Sequence, residues 1–179
     1  MAITYRQAST SKELEQILQL QLLNLPVNLS EDIKISEGFV TVRHTLEILR
    51  QMNDVCPHII AKDGEKVVGY ALCMHPKFAN EIEILKPMFN EIKSIIEADL
   101  RYIAMGQICI AKDYRGKGIF RGLYSAMSNF IRPVFDSITT TVDAKNIRSL
   151  KAHYAIGFAE LKSYHSDGHH WKLIELSIQ

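Results

Sequence analysis

The sequence predicts an α/β (α+β) domain of three layers, with helices flanking a central mixed sheet. Three observations carry this. Runs with period-2 alternation interleave along the chain with runs of helical apolar spacing. The pair Asp63-Gly64 joins two β-rich runs in the manner of a tight hairpin. In the C-terminal half, strand, helix and strand follow one another, which demands crossover connections. The chain of 179 residues is 47% hydrophobic and 23% charged, enough to bury a core. No repeat, low-complexity tract or Gly/Ser linker divides it, so a single domain over residues 1–179 is expected.

Taken in order, Ile3 to Ala8 alternates as a strand. Ser9, Thr10 and Ser11 then offer caps for a helix with Leu14, Ile17, Leu18 and Leu22 at helical spacing, ended by Asn24-Leu25-Pro26. An irregular stretch follows, and Val42 to Met52 reads as a second helix. His58 to Lys62 and Lys66 to Met74 form the hairpin. Pro87 interrupts the stretch from Asn80 to Glu97, whose helical half is Met88 to Glu97. Arg101 to Ala111 is a strand with a bulge expected at Gly106, because glycine inside a strand marks such irregularities. Gly118 to Ile131 is a helix stopped by Pro133, Ser137 to Val142 a β-branched strand, and Asn146 to Ile156 a helix. Gly157 to Ile178 makes two strands around Ser166-Asp167-Gly168.

The net charge of +1 argues against a nucleic-acid partner, since that binding depends on an excess of Lys and Arg. No apolar run reaches the length that spans a bilayer, and Arg6, Lys12, Glu13 and Glu15 occupy the stretch where a signal peptide needs an apolar core, so a cytoplasmic location without a membrane partner is expected. Cys56, Cys73 and Cys109 are an odd set with no close pair, which reads as buried thiols. His165, His169 and His170 fall around a hairpin turn with no further ligand indicated, so no metal is expected.

The chemistry concentrates in one loop. Tyr114-Arg115-Gly116-Lys117-Gly118-Ile119-Phe120 lies between a strand and a helix, where glycines let a ligand approach the backbone and the first helical amides lack internal partners. Arg101, Lys112, Arg115, Lys117 and Arg121 stand there against Asp113 alone, whereas acids predominate from Glu81 to Leu100. The loop is not a nucleotide triphosphatase P-loop, because Gly118 stands where that motif needs Ser or Thr. It also lacks the three-glycine dinucleotide fingerprint.

From Ile108 to Ile119 the chain resembles the acyl-CoA-binding signature of the GNAT N-acyltransferase superfamily, in which a strand with an aliphatic end leads into Arg/Gln-x-x-Gly-x-Gly/Ala. Asn146 to Phe158, with Ser149, His153 and Gly157-Phe158, is similar to that family's second motif. The resemblance implies a GNAT-like domain with a mostly antiparallel sheet, acetyl-CoA as co-substrate, and transfer of an acetyl group to a primary amine of a small molecule or peptide by direct attack. It implies that main-chain groups of Ile108, Cys109 and Ile110 flank the pantetheine arm. Amides of Gly116, Lys117, Gly118, Ile119, Phe120 and Arg121 would hold the pyrophosphate, with Arg115 and Lys117 adding charge. Asn146 and Ser149 would bracket the arm from the other side. Two positions depart from the pattern. Phe120 replaces the last small residue of the loop, and must turn into the helix packing. His153 stands where the family commonly has a tyrosine as general acid, with the tyrosine displaced to Tyr154; on a helix the two point about 100° apart.

An attacking alkyl amine must lose a proton from a group of pKa about 10.4, and the departing thiolate gains from a proton donor. His153 and Tyr154 are the candidate donors. No base stands out: the strand before the loop offers only Gln107, while Glu81, Glu83 and Asp143 are within reach, as is deprotonation through water. Glu31, Asp32 and Glu37 in the segment Asn24 to Val40 are candidates to line an acceptor pocket. A homodimer is left open, and a non-catalytic acyl-CoA-binding or sensor domain is the alternative, with a purely structural Gly-x-Gly turn as the third reading.

Overall fold

The computed structural model describes residues 2–95 and 100–178. Strand β1 (Thr4–Gln7) leads into helix α1 (Ser11–Leu23), a 3-10 turn (Pro26–Asn28), α2 (Glu31–Glu37) and α3 (Leu46–Val55). The hairpin β2 (Ile59–Asp63) and β3 (Lys66–Met74) follows, then α4 (Lys86–Ile95) and β4 (Tyr102–Ile110). The remainder is α5 (Ile119–Ile131), β5 (Ser137–Asp143), α6 (Ile147–Tyr154), β6 (Ala159–Ser166) and β7 (His169–Ser177). The strands make one seven-stranded sheet in the order β1-β2-β3-β4-β5-β7-β6. Among the described strands β4 and β5 pair in parallel and the others antiparallel, as expected for a mixed sheet.

Two apolar layers sandwich the sheet. On one face Leu14, Ile17 and Leu20 of α1 and Met88, Phe89 and Ile92 of α4 pack on Tyr70, Leu72 and Met74 of β3. On the other, Leu123 and Met127 of α5 cover Ile103, Met105, Ile138 and Ile174. Strand alternation sends successive side chains to opposite faces, which is why both layers are fed by the same strands.

Three differences from the sequence reading have local causes. The stretch taken as irregular holds α2, whose seven residues are too few to display a helical period. The helix expected from Val42 begins at Leu46, because Thr45 is its cap and accepts the Ile48 amide. Val42 and His44 are instead buried in an extended strap. Helix α4 begins at Lys86, so Pro87 lies in the first turn, where a missing N–H breaks no helical bond. The end of the expected helix Met88 to Glu97 falls outside the described residues.

Helix α1 opens with a reciprocal cap. Thr10 Oγ1 accepts the Glu13 amide at 3.2 Å, and Glu13 Oε2 accepts the amides of Ser9 at 3.0 Å and Thr10 at 3.3 Å. Glu13 Oε1 also binds Arg6 and, at 3.2 Å, the buried Lys62 ammonium. Burial works to raise the Glu13 carboxyl, but the Ser9 amide, Lys62 and Arg6 outweigh it and hold it below the usual range. Breaking a buried charge pair from one side costs several kcal/mol. Glu13→Ala is therefore expected to lower unfolding free energy by about 3 kcal/mol in urea titrations; a loss under about 1 kcal/mol would show the pair to be ornamental.

Candidate active site

Strands β4 and β5 run together only over Tyr102↔Ser137, Ile103↔Ile138 and Ala104↔Thr139. Beyond this they part. On the other side of β4, Cys73 pairs with Met105 and Leu72 with Gln107, leaving Gly106 as the extra residue of a bulge, at the expected position. A bulge bends its strand, and here β4 swings away from β5. At the fork Thr140 Oγ1 donates to Met105 O at 2.8 Å, so a side chain completes what the backbone ladder no longer supplies.

The fork opens into a trough of about 340 Å³ lined by Ile108, Cys109 and Ile110 of β4, by Arg115, Gly116 and Gly118 to Phe120 of the loop, by Asn146 and Ser149 of the α6 end, and by the strap at Gly38 to Val40. In the loop, the amides of Tyr114 and Arg115 close a 3-10 turn onto Ala111 O and Lys112 O, and the Gly122 amide begins the helix by donating to Gly118 O. Among the described residues, no hydrogen bond takes up the amides of Gly116, Lys117, Gly118, Ile119, Phe120 or Arg121. Gly116 and Gly118 sit at φ +73° and +78°, a region that glycine enters without strain. These free donors stand at the positive end of α5, an arrangement suited to an anion.

The side chains of the loop are arranged otherwise than its charges suggest. Arg115 Nε donates to Ile110 O at 3.0 Å and its Nη2 to Asn24 Oδ1 at 2.6 Å, so the guanidinium braces the end of β4 while lining the trough. Lys117 lies over the Tyr114 ring at 5.2 Å. Ile119 is buried in the α5 layer and borders the trough. Arg121 reaches Ala155 O at 3.2 Å. Cys109 is buried, and burial pushes its thiol up to about 12. Phe120 turns into the helix packing as required, edge-on to Tyr124 and His153 at 5.2 and 5.0 Å. Asn146 caps α6 by accepting the Ser149 amide at 3.2 Å and ties the strap by donating to Phe39 O at 3.4 Å.

The two candidate proton donors fall on different sides of α6. His153 lines a narrow slot continuing from the fork, yet it is only 1% exposed. Its Nδ1–H donates to Ser149 O at 2.7 Å, because a carbonyl can only accept, and its Nε2 accepts from the Tyr124 hydroxyl at 2.8 Å. Burial lowers it to about 4, so the ring is neutral near pH 7 and both nitrogens are engaged. The sequence expectation of a histidine recharged from solvent does not match this state: the ring's one proton is committed to Ser149 O. Tyr154 is exposed and its hydroxyl donates to Glu160 at 3.2 Å, on the far side of the helix. The acids named as bases are also separated. Glu83 pairs with Lys86 on an exposed surface, whereas Asp143 is buried and lines the slot; Glu31, a candidate for the acceptor pocket, pairs with Lys34 on an exposed surface.

Residues that sequence reasoning passed over include Gln21, His44 and Tyr70. Gln107 Oε1 accepts from Tyr70 Oη at 2.6 Å and Gln21 Nε2 at 2.8 Å, and its Nε2 donates to Val42 O at 2.8 Å, pinning the strap to β4. No local pattern signals such a cluster. Among the described residues, no group of three or more His, Cys, Asp or Glu is placed to hold a metal ion, and no helix is long and apolar enough to cross a membrane.

A forked sheet whose trough ends on unpaired helix amides is the frame of an acyl-CoA-dependent acyltransferase. The family model described as the acetyltransferase (GNAT) family matches residues 27–158. The chain belongs to this family of acetyltransferases, whose co-substrate is acetyl-CoA. No curated protein matches the sequence. Among solved structures, the chain is similar to the ribosomal-protein-S18-alanine N-acetyltransferase from Escherichia coli, at 12% identity over 99% of this chain and 94% of that one, with a TM-score of 0.65. It is also similar to yncA from Salmonella typhimurium with its cofactor acetyl-CoA, at 12% identity, 100% and 95% coverage and a TM-score of 0.66. Ard1 from Thermoplasma volcanium is a further likeness, at 14% identity, 100% and 99% coverage and a TM-score of 0.67.

Proposed function

We propose that this chain transfers the acetyl group of acetyl-CoA to a primary amine of a small molecule or peptide, by direct attack and as a single domain. The observation that carries this is the row of free amides from Gly116 to Arg121, opening onto a trough that leads to the β4–β5 fork. The diphosphate would lie on those amides, and the pantetheine arm along Ile108 to Ile110 with Asn146 and Ser149 opposite. That course points the thioester at Gly106 and the slot beyond. Holding thioester and amine together at the fork supplies much of the acceleration, since juxtaposition alone removes a large entropic barrier. Strand amides beside the bulge are the donors available to the developing oxyanion.

His153 is assigned the role of a positioning group. Held between Ser149 and Tyr124, it fixes the α6 face that borders the fork. The departing thiolate then takes its proton from solvent water.

The test has two stages. Calorimetry with CoA is expected to give saturable heat, and its absence at millimolar CoA would remove the loop assignment. Thiol release from acetyl-CoA is then followed with phenethylamine, spermidine and a tripeptide with a free amino terminus. Release above background with at least one amine is expected, rising with pH as the amine loses its proton. Binding of CoA without release in any case would favour the non-catalytic sensor.

A further inference from the structure

The slot that continues from the fork, about 70 Å³, is bordered on one side by Gly106 to Ile108 of β4 and on the other by Thr140 to Asp143 of β5, with Trp171 of β7 as a wall. Among the described residues, Asp143 is the only acid along it. Its carboxylate is 4% exposed, a position that demands compensation. One oxygen, Oδ1, accepts the Lys145 amide at 2.8 Å and so shapes the turn into α6. The other, Oδ2, lies 2.7 Å from Nδ1 of His169 at the start of β7. The His169 side chain is 45% exposed, and its ring stands 5.3 Å from that of Trp171. A carboxylate lining the slot thus holds an imidazole that stands beside Trp171 of the slot wall. Where Nδ1–H donates to the carboxylate, Nε2 keeps a free lone pair, the logic by which an acid fixes a histidine as base.

Resting on the acetyl-transfer reading above, we infer that His169, oriented by Asp143, is the base that takes the proton from the acceptor amine as it enters the slot past Trp171. An amine arriving as an ammonium is drawn by the Asp143 carboxylate and the face of Trp171. Through one water, Nε2 of His169 removes a proton and passes it to bulk solvent, leaving a neutral amine. The nitrogen lone pair then forms the bond to the acetyl carbonyl carbon, and the C–S bond breaks with its electron pair staying on sulfur. The second nitrogen proton leaves by the same route, and the thiolate takes one proton from solvent. The sum is ammonium plus acetyl-CoA giving amide, CoA thiol and one proton. Asp143 acts through His169 and is a positioning residue.

The charged and titratable groups around the pair are few. Lys145 of the following turn offers its backbone amide, and Asp167 in the hairpin binds Ser166. His165 and His170 stack on each other across β6 and β7 at 4.4 Å. Lys172, beyond Trp171 on β7, pairs with Glu160. His153, at the other end of the slot, is held neutral.

The experiment measures kcat and KM against pH for the full chain with acetyl-CoA and the same three amines. His169→Gln is expected to lower kcat about 100-fold and to abolish the acid limb of the profile, with KM for acetyl-CoA and melting temperature unchanged. Free imidazole should restore activity at least tenfold to His169→Ala. Asp143→Asn, which can still accept the Lys145 amide, should lower kcat about tenfold while leaving KM for acetyl-CoA in place. If the wild type turns over but His169→Gln keeps its rate and limb, or imidazole restores nothing, the base assignment is overturned and the acetyltransferase reading stands. If the wild type turns over none of the amines, both fall together.

Discussion

At pH 5 the protein is expected to be less stable than at pH 7 by on the order of 6 kcal/mol, about 2 kcal/mol from each of three buried histidines. His44 and His153 are lowered to about 4 and His58 to about 3, in each case by burial first. For His58 the Leu49 carbonyl pulls the other way and His44 adds to the lowering. In the unfolded chain all three titrate near 6.5. Between that value and the folded ones, the unfolded state binds more protons, so stability rises with pH across the interval. It is therefore complete above about 6.5, and is lost as pH falls toward about 4 for His44 and His153 and about 3 for His58. Since whole domains hold only about 5–15 kcal/mol, acid unfolding should begin well above the carboxylate range. Urea titrations at the two pH values measure it; a difference under about 2 kcal/mol would mean that the rings gain access to water in the native state.

The second large effect is expected at the donor loop. Gly118 has φ +78° and no atom near the place of a Cβ, so a side chain there is opposed by backbone conformation alone. Valine in this region costs about 2 kcal/mol or more, which the chain avoids by leaving the left-handed conformation. The amides from Gly116 to Arg121 would then no longer converge. Gly118→Val should weaken CoA binding about 30-fold, the equivalent of that strain, with a matching fall in kcat/KM for acetyl-CoA. Gly168, at φ +76° in the β6–β7 turn and equally open, is the comparison. Gly168→Val should reduce stability without changing the CoA dissociation constant. Equal weakening in both variants would show a general loss of folding rather than a local loss of donors.

What could be read in the sequence was what a short window decides. A cap among Ser9, Thr10 and Ser11, the turn at Asp63-Gly64 and the irregularity at Gly106 each rest on residues within a few positions of one another. The donor loop belongs with them, because its amides are left free by the local geometry of a helix start. The strap from Gly38 to His44 could not be read, since its extended course depends on Gln21 and Gln107, far away in the chain. Nor could the state of His153: periodicity puts it and Tyr154 on different faces, but the burial that neutralises it comes from Phe120, Tyr124 and Phe158. The contact of Asp143 with His169 spans 26 positions and two elements, and only the folded sheet brings it about.

The supernumerary glycine at 106 carries a consequence for how this strand tolerates change in length. Ahead of it Met105 faces the α5 layer; after it Gln107 and Cys109 face α1, and Ile108 and Ile110 face α5. The two halves of β4 would alternate without a break if that single residue were cut out. Its excision would therefore spare the hydrophobic pattern and mend the ladder with β3, yielding a straighter ribbon that could zip onto its parallel neighbour. The gap between β4 and β5 is the misfit of one surplus residue, kept in the chain at the expense of a more regular sheet.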